Sequence, residues 1–128
     1  MRASEVVRNV VKEKLARDEV VASMTIRLVR GVEIARLAAT AGFDMIYIDL
    51  EHSTLTLEAT GQICQAALNV GIAPMVRLPA NTPEYIQRVL DAGALGVIAP
   101  GVRSAAEARE VVKAAKFAPP LSRLKATS

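Results

Sequence analysis

The chain reads as an α/β protein of parallel strands with helical crossovers, and three observations carry that reading. Short runs rich in Val, Ile, Met and Ala alternate along the chain with stretches at helical spacing. Each strand-plus-helix unit takes about 22 to 28 residues, the length of a β/α repeat. Apolar residues make up 52% of the chain and aromatics only 3%, so the core is aliphatic, as where Ala-rich helices pack on Val/Ile strands. Right-handed crossovers between parallel strands are the default for such alternation. An open parallel sheet and part of a closed (β/α)8 barrel both fit. No G-x-G-x-x-G or G-x-x-x-x-G-K-[ST] phosphate cradle is present, which shifts the reading toward the barrel.

Taken in order, Ser4 caps a first helix with Val6, Val7, Val10, Val11 and Leu15 on one face. Residues 20–28 read as a strand. Residues 31–41 form a short helix with Ile34, Leu37 and Ala38 inward, closed by Gly42. The second strand, 43–50, is apolar on both faces apart from Asp44 and Asp49. A helix over 57–70 places Leu57, Gly61, Cys64 and Leu68 at near-helical spacing and ends at Gly71. Residues 73–77 are the third strand. Thr82-Pro83 is a helix-start signature, opening a helix that carries Ile86, Val89 and Leu90 and stops at Gly93. A fourth strand covers 95–99, and Ser104-Ala105-Ala106-Glu107 is a capping box for a last helix through about residue 116. From Phe117 to Ser128 the chain is Pro-Pro and then a polar tail without a period.

Composition narrows the function classes. The 128 residues suit one domain. The formal charge of +3 comes from scattered basic residues that form no aromatic-interleaved stripe, so nucleic acid is not an expected partner. The lone cysteine, Cys64, excludes an internal disulfide and zinc spacing and reads as a buried core thiol. The N-terminus has no long apolar core, so it is not read as a secretory signal. No apolar stretch is long enough to span a bilayer; a cytoplasmic location is expected.

The leading site lies where apolar strand two runs into Asp49, Glu51 and His52, the only histidine. Ionised groups at the end of a buried strand must be paired, hydrated or used, and ligands of β/α proteins bind at the carboxyl ends of the strands. Arg77 ends strand three, one strand spacing of about 4.8 Å away. A guanidinium clamps a carboxylate and stabilises oxyanion charge. An imidazole takes and returns a proton, with a neighbouring carboxylate to orient it. Together these suit proton abstraction, enolate stabilisation and carbon–carbon bond chemistry on a small carboxylated ketone. The bland readings are a helix-capping Asp49, an Arg77 paired with Glu51, and an exposed loop histidine. Arg27 and Arg30 read as solvated loop arginines, with contact to an acidic substrate as the alternative.

Ala41-Gly42-Phe43-Asp44, Ile48-Asp49-Leu50-Glu51-His52 and Val76-Arg77-Leu78-Pro79-Ala80-Asn81 resemble the HpcH/HpaI aldolase family. The resemblance continues through Leu90-Asp91-Ala92-Gly93-Ala94, Ala99-Pro100-Gly101-Val102 and Ala106-Glu107-Ala108, in family order, across roughly residues 20 to 120. It implies a pyruvate-type (β/α)8 TIM barrel. Here that means a partial one, an N-terminal helix plus about four β/α units of the eight in a barrel. It also implies divalent-metal-dependent cleavage of 2-oxo-4-hydroxy acids to pyruvate and an aldehyde, with Mg2+, Mn2+ or Co2+ as the metal. Carried onto this chain, His52 is the acid/base, Asp49 its orienting partner, Arg77 the holder of the pyruvate oxygen, and Glu51 a member of the substrate-binding network.

Departures from the family pattern qualify this. Residues 1–120 match the first half of such a barrel, and residues 121–128 match nothing in it. The family's metal ligands fall in the second half, so no metal ligand is assigned here. Strand one lacks the small, Gly-containing segment usual near Arg27. The alternative expectation is a truncated, catalytically inactive half-barrel, or a bare binding module. Two unpaired sheet edges predict a homo-oligomer.

Overall fold

The computed structural model describes residues 6–116. Helix α1 spans Val10–Ala16, and Asn9 caps it by accepting the Lys12 N–H at 3.1 Å. The cap expected at Ser4 and the tail beyond residue 116, with the domain boundary placed at 120, lie outside the described residues. Val10, Val11 and Leu15 do not form the inward face that their spacing predicts: α1 buries none of its residues. An ion pair from Lys14 to Asp44, at 2.8 Å, ties it to the start of the second strand instead.

Four β/α units follow: β1 Ser23–Ile26, α2 Glu33–Thr40, β2 Met45–Asp49, α3 Leu57–Asn69, β3 Ala73–Arg77, α4 Pro83–Asp91, β4 Gly96–Ile98 and α5 Ala105–Ala115. The strands form one parallel sheet in sequence order, β1-β2-β3-β4. With every crossover in one direction and one hand, the crossover helices α2, α3 and α4 fall on one face. α5 follows β4 and packs against α4, and each helix from α2 to α5 packs on the next.

Alternation along the strands divides two surfaces. Ile26, Ile46, Ile48 and Val76 are buried under the helices, where they meet Ala35, Ala38, Ile63, Cys64, Ala67, Ile86 and Val89. The other row, Thr25, Tyr47, Met75 and Gly96 in register, stays partly or fully open. A Cβ on Gly96 would stand 2.9 Å from the Met75 sulfur, so the glycine makes room for that thioether on the open face.

Three expectations are corrected. Strand one is four residues long and not nine, because its only described ladder runs from Ser23↔Met45 to Ile26↔Ile48. Val20 and Leu28 beyond it are exposed. Leu37 is 61% exposed: α2 approaches the sheet through Ala35 and Ala38, and Leu37 sits about 100° around the helix from Ala38. The buried face of α3 is Thr60, Ile63, Cys64 and Ala67; it keeps Cys64 from the predicted Leu57, Gly61, Cys64 and Leu68 and is centred one step around from them.

Other readings hold. Gly93, at φ 120°, turns the chain out of α4 so that Ala94 N–H returns to the Val89 carbonyl at 3.1 Å. Ser104 Oγ accepts the Glu107 N–H at 3.1 Å, although Glu107 Oε2 answers the Arg103 N–H and not that of Ser104. Cys64 is fully buried, and burial pushes its thiol up to about 12, as befits a packing residue. No helix among the described residues is long and apolar enough to cross a membrane.

Candidate active site

Asp49 is the last residue of β2 and lies in register with Arg77, the last of β3. Its side chain is fully buried, so its charge must be answered locally. Oδ1 accepts from Arg77 Nε at 3.0 Å and from the backbone N–H groups of Glu51 at 3.0 Å and His52 at 3.2 Å. Oδ2 accepts from Arg77 Nη2 at 2.6 Å and Arg27 Nε at 2.8 Å. The Arg77 fork is a bidentate carboxylate pair. That bonding holds the Asp49 carboxyl well below the usual carboxylate range; burial opposes the shift, and the His52 N–H and Arg27 add to it. Arg77 is correspondingly raised, first by its bonds to Asp49.

Local bonds shape the turn that carries Glu51 and His52. The Leu50 N–H bonds the Arg77 carbonyl at 2.9 Å, continuing the β2–β3 ladder. Ser53 Oγ donates to the Asp49 carbonyl and accepts from the Leu55 N–H. Two Asp49-to-backbone bonds and the Ser53 bridge thus fold residues 50–55 into a fixed turn. Glu51 Oε2 then stands 3.3 Å from Arg77 Nε and 3.6 Å from His52 Nε2.

The predicted residues Asp49, Glu51, His52 and Arg77 therefore gather at one end of the sheet. One expected contact differs. Asp49 meets His52 through the backbone N–H, not the imidazole, because both of its oxygens are occupied by arginines and main-chain donors. The carboxylate beside the imidazole is Glu51. The imidazole itself is 62% exposed.

Tyr47 escaped sequence reasoning, and the first of the two readings of Arg27 is corrected. Tyr47, two residues before Asp49 on the open face, lies under the Arg77 guanidinium, 5.5 Å from its carbon to the ring centroid, a cation–π distance. Arg27, read as a solvated loop residue, reaches Asp49. Its signal was position: extending the Ile26↔Ile48 register by one residue sets Arg27 opposite Asp49.

A metal centre does not fit the described residues. No group of three or more His, Cys, Asp or Glu side chains among them is placed to hold a cation. Asp49, the natural candidate, already accepts five hydrogen bonds.

With the geometry established, comparisons with known proteins converge. The model of the HpcH/HpaI aldolase/citrate lyase family matches residues 30–127. A 4-hydroxy-4-methyl-2-oxoglutarate aldolase of Hapsidospora irregularis is 43% identical over 112 residues, which cover 87% of this chain and 42% of that one. A hydroxypyruvate/pyruvate aldolase of Roseovarius nubinhibens is 41% identical over 81 residues, covering 63% and 32% respectively. The crystal structure of an HpcH/HpaI aldolase from Desulfitobacterium hafniense superimposes with a TM-score of 0.81 at 37% identity, covering 85% of this chain and 42% of that chain. The chain thus spans less than half the length of the relatives it matches, and its four β/α units correspond to part of a (β/α)8 barrel.

Proposed function

Because the chain belongs to the HpcH/HpaI aldolase/citrate lyase family, we propose that its strand-end cluster serves carbon–carbon lyase chemistry on 2-oxo acids. The observation that carries the reading is the joining of Arg77 and the Glu51–His52 turn through one buried carboxylate, Asp49. Arg77 spends Nε and Nη2 on Asp49, which leaves Nη1 to donate to the oxo or carboxylate oxygen of a pyruvate-like ligand. In cleavage, the imidazole of His52 accepts the proton of the C4 hydroxyl. The C3–C4 bond breaks, its electron pair passes to the pyruvate enolate, and the aldehyde leaves. The enolate oxygen is stabilised by Arg77, and return of the proton to C3 yields pyruvate. Glu51 stands beside both groups and supports the imidazolium.

The family resemblance brings a divalent metal ion, whose chemistry would be polarisation of the oxo group. The described residues offer it no site, so no step above depends on it. That observation favours a second reading, a half-barrel that binds 2-oxo acids without turning them over.

Pyruvate methyl-proton exchange in D2O with Mg2+, followed by NMR, separates the readings. Exchange well above the buffer rate and blocked by oxamate is the expected result for the lyase site. Calorimetric binding of oxamate without exchange supports the binding module. Neither binding nor exchange would overturn both.

The described sheet ends in the free edges of β1 and β4, which present unpaired backbone groups. We therefore expect self-association, read by sedimentation velocity at tens of micromolar; a monodisperse monomer would count against it.

A further inference from the structure

We propose that Tyr47 is a positioning residue for Arg77: its ring fixes the tilt of the guanidinium and so the direction in which Nη1 meets a ligand. The inference rests on the assignment of Arg77 Nη1 to the 2-oxo acid. Tyr47 precedes Asp49 by two residues, so the two side chains share the open face of the sheet. Tyr47 stands in register with Met75, and two residues further along Asp49 stands in register with Arg77. Tyr47 and Arg77 are therefore diagonal neighbours across β2 and β3, a spacing that an aromatic ring and a long side chain bridge. Arg77 does bridge it. Its side chain leans toward β2, bonding Asp49 at 3.0 and 2.6 Å with Cζ 5.5 Å from the Tyr47 ring centroid.

The two contacts restrain different motions. A bidentate pair fixes where the fork points within the guanidinium plane. It leaves one soft motion, a tilt about the line through Nε and Nη2. Nη1 lies farthest from that line and moves most when the plane tilts. The Tyr47 ring resists the tilt, because the cation is held over its electron-rich face. Glu51 does not supply this restraint: its Oε2 stands 3.3 Å from Nε, an atom on the tilt line itself. An Nη1 aimed in advance loses less freedom when a ligand docks. Packing does not call for the ring. The buried cluster behind the sheet holds no aromatic side chain among the described residues, and Tyr47 is only half-buried, on the other face. An aliphatic or thioether side chain, like Met75 beside it in the same row, fills such a place.

Calorimetry with oxamate on the full chain in Mg2+ buffer tests this in Tyr47→Phe, Tyr47→Met and Tyr47→Leu, with the urea midpoint of each measured alongside. Phe keeps the ring face, so affinity should stay within about twofold of wild type. Met and Leu fill space without a ring. Each should weaken oxamate binding by about three- to tenfold, the loss of a partly exposed cation–π contact, while keeping a cooperative urea transition. Wild-type affinity in Tyr47→Met and Tyr47→Leu overturns the proposal. So does a Tyr47→Phe as weak as Tyr47→Met, which would assign the effect to the hydroxyl. Loss of the urea transition in both ringless variants also overturns it, since Tyr47 would then be a packing residue. These outcomes leave the reading of Arg77 intact. That reading fails separately if the wild type does not bind oxamate or if Arg77→Met binds it unchanged, and the role of Tyr47 falls with it.

Discussion

Replacing Arg77 with methionine is expected to destabilise the chain by about 3 kcal/mol and to abolish 2-oxo acid binding. Breaking a buried ion pair by removing one partner costs about 3–5 kcal/mol, because the remaining charge stays buried without compensation. The lower figure applies because Asp49 keeps Arg27 and two backbone N–H groups. The effect should depend on pH in a definite direction. Arg77 depresses the Asp49 carboxyl, so the folded state binds that proton less readily than the unfolded chain. The stabilisation is complete well above the unfolded carboxyl value of about 3.9 and declines as pH falls through it toward the depressed native value. Urea midpoints of wild type and Arg77→Met should therefore lie far apart at about pH 7 and closer together at about pH 3. A separation that is equal at both values would mean that packing against Tyr47, and not the ion pair, is what Arg77 contributes.

His52→Gln should have the opposite profile, a large effect on chemistry and almost none on stability. The side chain is 62% exposed, and exposed substitutions usually stay within about 0.5 kcal/mol. Loss of a general acid/base lowers rates by roughly 100- to 10,000-fold. Pyruvate methyl-proton exchange should fall by that order while oxamate affinity and the thermal midpoint hold. Glu51→Gln, which leaves the imidazole but removes its neighbouring carboxylate, should lower exchange by less than His52→Gln does. Exchange that persists within threefold in His52→Gln would show that another group carries the proton.

How much of this was legible beforehand differs between fold and site. The third strand ran from Ala73 to Arg77 as its apolar pattern and flanking breakers indicated. Thr82-Pro83 and Ser104 also marked true helix starts. Strand one was overestimated because apolar residues near it, Val20 and Leu28, look like strand and are exposed; a strand's length is set by its ladder partner. The inward faces of α2 and α3 were misplaced by one position each. Small residues such as Ala35 and Ala67 decide how closely a helix approaches a sheet, and spacing arguments built on larger residues pass over them.

At the site, Asp49, Glu51, His52 and Arg77 were legible because charged groups ending apolar strands are few and stand out. Their partnership was not. Which carboxylate faces the imidazole depends on the turn after β2, where Asp49 spends Oδ1 on two backbone N–H groups and so leaves the imidazole to Glu51. Arg27 was misread for a similar reason: a residue just beyond a strand is loop by sequence but remains in the sheet's register in space.

The one-dimensional pattern by itself determined the class of fold, the order of the elements and the residue types at the strand ends. These follow from periodicity and from the cost of burying charge, both local properties of the chain. Tertiary structure alone decided that one aspartate would bind two arginines from the neighbouring strands on either side. Hydrogen bonds at the end of a parallel sheet join residues 22 and 28 positions apart, and their pairing is set by register and burial, which no local window contains.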